Sequence, residues 1–304
     1  MEYKVGVCIC TFKRPSSLSR LLESLMNVFC EYEFTTIIID NDKSGSAKVI
    51  FENYKNKLNL IYELEEKQGL SNARNKCIEE ARELNLDYIA FLDDDEIVYK
   101  SDWLSKLLET SIKYTSQIVT GPILPLYHSE VKEYIKKTNY FTPPRYKHGE
   151  KLAHTGTGNT LIKLSILNDM KTVFSDDFNL SGGEDTYLFI NLVSKGYTIT
   201  WCDEAEVQEF IPLERAKISY IFKRSFYSSV NYIKIEFATN NLNKKKKLLF
   251  RLLKGSLKII KGLCLSTLFI FAGIHKFIQG LSIIGNGLGD IAGIFGVKSK
   301  LYKS

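Results

Sequence analysis

The segment FLDDDEIV, residues 91–98, places four carboxylates side by side directly after an apolar run. Adjacent carboxylates repel one another, so a folded protein tolerates them best where a cation or water relieves the repulsion. On an extended chain, Asp93 and Asp95 point to the same side, so both can approach one pocket. A few hard oxygen ligands that leave room for phosphate oxygens suit Mg²⁺ or Mn²⁺ held jointly with a diphosphate.

A plainer interpretation of the same segment is a strand that runs into an acidic surface loop. Two aspartates separated by one residue are common by chance, and an isolated pair would favour the loop. The surrounding elements decide between the two, because they determine what lies beside Asp93 and Asp95.

Strand-like and helical patterns alternate in βαβαβαβα order over residues 5–114. This order predicts a mostly parallel sheet covered by helices on both faces, in which ligands bind beyond the carboxyl ends of the strands. Polar clusters follow three of the strands, at residues 11–14, 40–42 and 93–95. We therefore expect the three clusters to lie close together, which favours the metal site over the loop.

The middle of the chain is less regular. Residues 121–150 are rich in Tyr, Pro and Lys and predict a long irregular segment. GTGNTLI, residues 156–162, predicts a strand after a glycine-rich turn. In GGED, residues 182–185, two glycines precede Glu184 and Asp185 at the start of an amphipathic helix.

The chain changes character after about residue 240, and we predict two domains, 1–238 and 239–304. Basic residues at helical spacing alternate with Leu, Ile and Phe, a pattern that favours an anionic lipid surface over nucleic acid: Lys244, Lys245, Lys246, Lys247, Arg251, Lys254, Lys258 and Lys261. Two uncharged segments follow, and each is shorter than the roughly 20 residues of a membrane-spanning helix. We expect a membrane-surface anchor or a shallow hairpin. The alternatives are a helical cap on the first domain and, for the four lysines, a solvated linker.

Composition bounds the rest. The chain of 304 residues is 44% apolar and 25% charged, which is typical of a globular protein and not of a disordered one. Its six cysteines form no C-x-x-C pair and have no histidine cluster beside them, so a zinc site is not expected. The first residues have no signal-peptide pattern, and we expect reduced thiols in a cytosolic protein.

Six motifs occur in register: CICTFKRPSSLSRLLESL, IIIDNDKSGSA, EKQGLSNARNKCIEEA, DYIAFLDDDEIV, GTGNTLI and SGGEDTYLFINLVSKGYTITWC. Over roughly residues 3–230 they resemble family-two inverting glycosyltransferases, particularly the bacterial exopolysaccharide and lipopolysaccharide sugar transferases. The resemblance implies a GT-A fold, which is a Rossmann-like, mostly parallel sheet flanked by helices. It also implies a nucleotide-sugar donor and a divalent metal, Mg²⁺ or Mn²⁺. The predicted helical, membrane-associating tail lies outside the resemblance.

The resemblance also implies roles for individual residues. Thr11, Phe12 and Arg14 match the first nucleotide-contacting loop, and Asp40 matches a position that faces the base, a contact that Asn41 or Asp42 could take instead. Arg74 matches an arginine near the diphosphate. Asp93 and Asp95 match the metal-binding D-x-D motif, with Asp95 the direct ligand and Asp93 nearer the ribose, and Asp94 is counted with the nucleotide-contacting residues. Asp185 matches the catalytic base, and Glu184 is expected beside the donor sugar or the acceptor.

The chemistry of glycosyl transfer agrees with these roles. A diphosphate leaving group needs charge stabilisation, which a metal and Arg74 would supply, and inversion needs a base for the acceptor hydroxyl. Gly182 and Gly183 would let the backbone approach a sugar closely. Asp185 is also explained as a carboxylate favoured by the dipole at a helix start, and both explanations can hold together.

The sequence departs from the family pattern at two points. Many relatives carry a histidine near the strand after the base, where this chain has Gln208 and Glu209, so Glu209 is a candidate replacement. His154 is expected on an exposed loop. The Q-x-x-R-W signature of processive synthases has no clear match, since Arg215 and Arg224 are only loosely similar, which favours transfer of one sugar per event.

We therefore expect a metal-dependent, hexosyltransferase-like enzyme at the cytoplasmic face of the membrane. Its donor is predicted to be a UDP-sugar, although dTDP offers the same base N–H, and its acceptor a lipid-linked glycan. Two alternatives stay open: a nucleotide-sugar-binding membrane protein without turnover, and a nucleotidyltransferase similar to sugar-nucleotide pyrophosphorylases. A phosphatase of the haloacid dehalogenase type is disfavoured, because its aspartates would follow the first strand.

Overall fold

The computed structural model describes residues 3–179, 181–239 and 244–298. Its strands, numbered in chain order, are β1 Val5–Thr11, β2 Phe34–Asp40, β3 Leu60–Leu64, β4 Tyr88–Asp93, β5 Glu96–Val98, β6 Ile118–Thr120, β7 Ile123–Tyr127, β8 Lys151–Leu152, β9 Thr160–Lys163, β10 Ile199–Trp201 and β11 Val207–Ile211. Its helices are α1 Pro15–Leu25, α2 Lys48–Tyr54, α3 Leu70–Glu83, α4 Trp103–Lys113, α5 Glu133–Lys136, α6 Glu184–Ser194, α7 Ile218–Thr239, α8 Lys244–Thr267, α9 Phe269–Ala272 and α10 Ile274–Ile294.

Eight strands form the main sheet, in the order β3-β2-β1-β4-β9-β6-β10-β8. The strands β1 to β4 pair in parallel, as do β6 and β10, whereas β9 runs antiparallel between β4 and β6. The prediction of a mostly parallel α/β sheet is confirmed. The antiparallel strand β9 comes from the GTGNTLI motif, whose alternation predicts a strand but not its direction.

Two apolar cores cover the sheet because successive side chains of each central strand point to opposite faces. On β1, Val7 and Ile9 join the core that α1 and α4 complete, whereas Cys8 joins the core of α3 and α6. Helices α1 and α4 bury their leucines on one stripe, as the spacing of those leucines predicts. This sandwich holds the carboxyl ends of β1, β2 and β4 in fixed register.

The predicted irregular segment at residues 121–150 contains ordered elements. Strand β7 and the short helix α5 lie within it, joined by turns. The aromatic and proline residues of this segment conceal a short strand because they lack a clear alternation of apolar and polar side chains.

The chain divides into two compact units. One contains Met1–Leu124, Pro144–Asn179 and Glu184–Phe210, and the other Pro125–Pro143, Leu180–Gly183 and Ile211–Ser304. The predicted boundary after residue 238 falls inside the second unit, because α7 packs against α10. A Cβ atom on Gly285 would lie 2.9 Å from the carbonyl oxygen of Phe222, so the two backbones are in close contact.

The second unit contains α7, α8 and α10. Ser225 on α7 shares a hydrogen bond with Ser282 on α10 at 3.0 Å. Among the described helices, none is both long and apolar enough to cross a membrane. The glycine-rich second uncharged segment forms most of α10, whose glycines allow α7 and α8 to approach it closely.

Candidate active site

The polar clusters predicted to converge lie side by side at one edge of the main sheet. Thr11, the last residue of β1, pairs with Asp40 at the end of β2, and Cys10 pairs with Asp93 at the end of β4. The parallel register therefore brings the three clusters together, as expected from the strand order.

Asp94 lies at the centre of this edge and is almost fully buried. The Thr11 hydroxyl donates to its Oδ2 at 2.9 Å, and Arg14 Nη1 donates to its Oδ1 at 2.9 Å. Burial raises the pKa of Asp94 to about 6, although the charge of Arg14 opposes the shift. Through these two hydrogen bonds, buried Asp94 holds the loop after β1 in place. To contact a nucleotide, as predicted, Asp94 would have to give up its bond with Thr11 or Arg14.

The loop after β1 turns at Lys13, whose φ of 54° lies in the left-handed region. The side chain of Phe12 is half-buried, and the Lys13 ammonium lies 5.0 Å from the centre of its ring. Arg14 keeps 46% of its side chain exposed although it contacts two aspartates. Arg14 is therefore accessible to an anionic ligand.

Asp93 and Asp95 contact different arginines. Arg74 Nη2 lies 3.3 Å from Asp93 Oδ1, and Arg14 Nη1 lies 3.4 Å from Asp95 Oδ2. The chain is not extended here, because residues 94 and 95 form a turn between β4 and β5. The prediction that strand alternation places Asp93 and Asp95 on the same side is therefore wrong. Their proximity comes from the turn, which an unbroken acidic run does not reveal.

Arg74 is buried and also pairs with Glu184, the first residue of α6. Burial raises the pKa of Glu184 to about 7 against the opposing charge of Arg74. Among the described residues, Glu184 Oε2 is a buried polar atom without a hydrogen-bond partner. Arg74 was predicted near a diphosphate, and the structure places its guanidinium between Asp93 and Glu184.

Glu96 is a member of this cluster to which the sequence assigned no role. Its side chain is buried, and its Oε2 accepts the backbone N–H of Asp93 at 3.1 Å. Burial, and then the charge of Asp93, raise the pKa of Glu96 well above its usual range. The sequence could have indicated Glu96 only as the fourth acid of the DDDE run. In the structure, its hydrogen bond with the Asp93 N–H stabilises the turn at residues 94 and 95. Glu209, the candidate replacement for the family histidine, faces Glu96 in the β5–β11 pairing.

The side chains of residues 40–42 are engaged inside the protein. Asp40 is fully buried and accepts three bonds, from the Asp42 N–H, the Ala47 N–H and the Tyr62 hydroxyl. Asn41 donates to two backbone carbonyls and accepts the Gly69 N–H at 2.6 Å.

Asp42 in turn accepts the Ser44 hydroxyl at 2.5 Å, which lowers the pKa of Asp42. A contact of Asp40 with a base stays a prediction, and it would require Asp40 to exchange one of its three donors.

Asp185 lies in the first turn of α6 and is partly exposed. The backbone N–H of Thr186 donates to its Oδ1 at 2.6 Å, and a Cβ atom on Gly156 would lie 3.2 Å from its Oδ2. The charge of Asp185 contributes to the raised pKa of Glu184. Asp185 is therefore part of the same acidic cluster, with one oxygen anchored and the other beside the backbone of the glycine-rich turn.

The donor set fits a divalent cation that is shared with a ligand. Asp93, Asp95 and their acidic neighbours outnumber the two arginines that they contact. Within the described ranges, no three His, Cys, Asp or Glu side chains are grouped to hold a metal ion by themselves. Mg²⁺ is commonly bound by one or two carboxylates together with substrate phosphates, which matches this incomplete set. His154, as expected, lies on an exposed loop.

Comparison with known proteins decides the family. The family model described as glycosyl transferase family 2 matches residues 6–170, just over half of the chain. This chain belongs to glycosyltransferase family 2. The predicted resemblance is confirmed, and the match includes the motifs that supply Thr11, Arg74 and Asp95.

Curated relatives agree with this family. The chain is 33% identical over 230 residues to the succinoglycan biosynthesis protein ExoM of Rhizobium meliloti (strain 1021), covering 74% of this chain and 72% of that protein. It is 25% identical over 180 residues to the O-antigen chain rhamnosyltransferase WbaN of Salmonella anatum, covering 57% and 55%.

Solved structures share the fold at low sequence identity. TarS residues 1–349 of S. aureus align with a TM-score of 0.54 at 14% identity, over 94% of this chain and 90% of that one. GalNAc-T7, solved with UDP, GalNAc and Mn²⁺, aligns with a TM-score of 0.56 at 15% identity, over 76% of this chain and 50% of that one. These similarities confirm the predicted GT-A fold of this family 2 member.

Proposed function

We propose that this family 2 glycosyltransferase moves a sugar, with inversion, from a UDP-sugar to a growing surface polysaccharide. One observation carries the proposal: Asp93, Asp95 and Asp185 lie in one acidic cluster at the edge of the sheet where the parallel strands β1, β2 and β4 end, beside the accessible Arg14. TarS has been solved with UDP-GlcNAc, and ExoM and WbaN are named for succinoglycan and O-antigen assembly. These names support the donor class and the type of acceptor.

The donor diphosphate would be held at the loop after β1 and the turn after β4. Arg14 is exposed and lies at hydrogen-bonding distance from both Asp94 and Asp95, so it can turn toward a phosphate without leaving the site. Asp95, with Asp93, would hold Mg²⁺ or Mn²⁺. The ion, when bound, would neutralise charge that develops on the departing nucleoside diphosphate. Arg74 keeps Asp93 in place from the buried side.

Asp185 would act as the base. Its Oδ1 accepts the Thr186 N–H, which fixes the carboxylate plane, and its Oδ2 lies at the glycine-rich turn. Inversion by a single displacement requires a base that accepts the proton of the attacking hydroxyl as the new bond forms. The anchored carboxylate is oriented for this step, and the dipole at the start of a helix favours negative charge there.

Glu184 would contact a hydroxyl of the donor sugar or the acceptor. Its Oε1 is held by Arg74, whereas its buried Oε2 has no partner in the described chain. An unpaired buried oxygen costs folding free energy, and a sugar hydroxyl would satisfy it. A lipid-linked acceptor at the cytoplasmic face of the membrane and transfer of one sugar per event complete the proposal.

The test is isothermal titration of the protein with UDP, dTDP and GDP, each with and without Mn²⁺. Asp95→Ala is the site variant, and Asp169→Ala, which removes an exposed carboxylate outside the site, is its control. We expect one uridine or thymidine nucleotide to bind only with Mn²⁺, and Asp95→Ala alone to lose this binding. Equal binding with and without metal, or to both variants, would contradict the proposed donor site.

A further inference from the structure

Helix α8 turns most of its large apolar side chains away from the helices of its own unit. Six large side chains keep between 54% and 65% of their surface exposed and form what we call the outer face: Leu249, Phe250, Leu253, Leu257, Ile260 and Leu263. Their spacing of three, four and seven residues places them on one side of the helix. Scattered exposed leucines need no explanation, but a continuous apolar face of this length indicates a partner.

The opposite side of α8 is fixed by close contacts with α10. A Cβ atom on Gly255 would lie 3.0 Å from the carbonyl oxygen of Gly287, and one on Gly262 would lie 2.7 Å from that of Gly280. The helix backbones therefore touch at both positions. Because substituents cannot fit there, the rotation of α8 about its axis is constrained.

Two ion pairs fix the same rotation. Lys258 Nζ lies 2.6 Å from Asp290 Oδ2 on α10, and Arg251 Nη2 lies 2.6 Å from Glu236 Oε1 on α7. Asp290 and Arg251 are almost fully buried. The packed side of α8 thus carries charges and glycines as well as Ile259, which contacts Gly287, while the free side carries the six large apolar side chains of the outer face. This is not the usual pattern for a helix on the surface of a soluble protein, whose large apolar side chains face the core.

The charges of α8 indicate the partner. The helix contains eight basic residues and no Asp or Glu. Lys254 and Lys261, which are both exposed, lie seven residues apart and therefore border the outer face along one edge. Charge of one sign at the border of an apolar face matches a surface whose headgroups are anionic and whose interior is hydrocarbon.

We propose that the outer face of α8 docks onto a lipid bilayer that carries anionic headgroups, with the helix axis parallel to the membrane. The apolar side chains reach about 5–10 Å into the boundary between headgroups and acyl chains. Lys254 and Lys261 lie at the level of the lipid phosphates. A second copy of α8 fits less well, because two such faces would bring lysines of the same charge together. This inference goes beyond the transfer reaction and does not depend on it.

The experiment is flotation of the full-length protein with vesicles, without donor or acceptor. One vesicle is phosphatidylcholine alone, and the other is a roughly 2:1 mixture with phosphatidylglycerol, which gives a strongly anionic surface. The protein should float with the anionic vesicles. The triple variant Leu253→Ser, Leu257→Ser, Ile260→Ser should bind them roughly 100-fold more weakly, since three apolar side chains no longer enter the boundary.

Two further variants sharpen the result. Lys254→Gln with Lys261→Gln should weaken binding to the anionic vesicles roughly 30-fold, at about fivefold for each charge, and should leave the phosphatidylcholine result unchanged. The control pair Phe29→Ser and Val49→Ser removes equally exposed apolar side chains from the other unit and should bind as the wild type does. Matching circular dichroism spectra establish that each variant is folded.

Two results would overturn the proposal. One is a triple variant that floats with the anionic vesicles as well as the wild type does. The other is a wild-type protein that ignores both vesicles but sediments as a dimer, with a monomeric triple variant, which would assign the outer face to a second copy. Because vesicle binding is measured without substrates, failure here would leave the proposed transfer reaction unaffected.

Discussion

Arg74 and Glu184 form an ion pair in which the two side chains keep only 5% and 2% of their surface exposed. Arg74 lies on α3 and Glu184 begins α6, directly before the proposed base. Arg74 also reaches Asp93 at the end of β4, at 3.3 Å. One buried guanidinium therefore connects the helix of the base to the strand end of the proposed metal site.

Breaking this pair should destabilise the protein strongly. Arg74→Met leaves Glu184 buried without its partner and should lower the free energy of unfolding by roughly 3–5 kcal/mol. Glu184→Gln should cost less, because burial already raises the pKa of this carboxyl and Arg74 keeps Asp93 as a partner. The double variant should lose less than the sum, because neither charge is then left unpaired. Urea denaturation of the wild type, the two single variants and the double variant gives the four free energies of unfolding that this comparison needs.

The exposed pair of Glu52 on α2 and Lys55, the residue directly after α2 ends, supplies the matched control. Lys55→Met should change the free energy of unfolding by less than about 0.5 kcal/mol, since exposed ion pairs contribute little. Additive single-variant effects at Arg74 and Glu184 would show that the two residues are not coupled.

Asp94 should make the metal-free protein less stable as the pH rises. Its folded pKa of about 6 lies above the usual range, so the folded state binds more protons than the unfolded state between about pH 4 and pH 6. Between pH 5 and pH 7 this residue alone should remove about 1 kcal/mol from the free energy of unfolding.

Asp94→Asn is the variant that isolates this contribution. Urea denaturation in EDTA at pH 5 and pH 7 should give a smaller pH dependence for Asp94→Asn than for the wild type. The same pH dependence in both proteins would mean that Asp94 keeps an ordinary pKa.

The sequence predicts the sheet well because apolar alternation and leucine spacing are local signals. The order of elements then places Thr11, Asp40 and Asp93 at one edge, since parallel strands share an end. Family resemblance added Asp185, whose distance in sequence from Asp93 conceals its proximity. The sheet and its edge are thus predicted from patterns within this one chain, whereas Asp185 is predicted from the family's motif.

The partners of each acid could not be predicted in this way. Asp93, Asp94 and Asp95 look alike in sequence, yet the turn at residues 94 and 95 buries Asp94 and directs its neighbours to two different arginines. Burial is a tertiary property, and the same holds for Glu96 and Asp40. The outward leucines of α8 follow from the contacts of Gly255 and Gly262 with α10, which no helical period reveals.

Divalent cations should stabilise the folded protein at neutral pH. A cation between Asp93 and Asp95 would relieve the repulsion within the acidic cluster, and a ligand at 100 times its dissociation constant adds about 2.7 kcal/mol. We expect Mn²⁺ to raise the melting temperature by several degrees, EDTA to reverse the rise, and Asp95→Ala to abolish it. Asp169→Ala should respond as the wild type does, and an equal rise in Asp95→Ala would place the cation elsewhere.

Asp185→Asn should slow transfer strongly while leaving the donor bound. The amide keeps the shape of the side chain, and its oxygen can still accept the hydrogen bond from the Thr186 N–H. It cannot, however, take up the proton of the acceptor hydroxyl. Loss of a general base typically lowers kcat by 10²–10⁴-fold. UDP binding by titration should stay within about twofold of the wild type, because Asp185 belongs to the acceptor side of the proposed mechanism.

Gly156→Ala tests the same oxygen from its other side. The added methyl would lie 3.2 Å from Asp185 Oδ2, close enough to displace the carboxylate by a few tenths of an ångström. We expect a lower kcat with unchanged donor binding, since misplacing a reacting group is costly even over short distances. The control is Ser194→Ala, which changes an exposed side chain at the end of α6. A second glycine such as Gly196 would not serve, because its positive φ would strain an alanine. If Gly156→Ala and Ser194→Ala turn over equally fast, Oδ2 is not the atom that takes the proton.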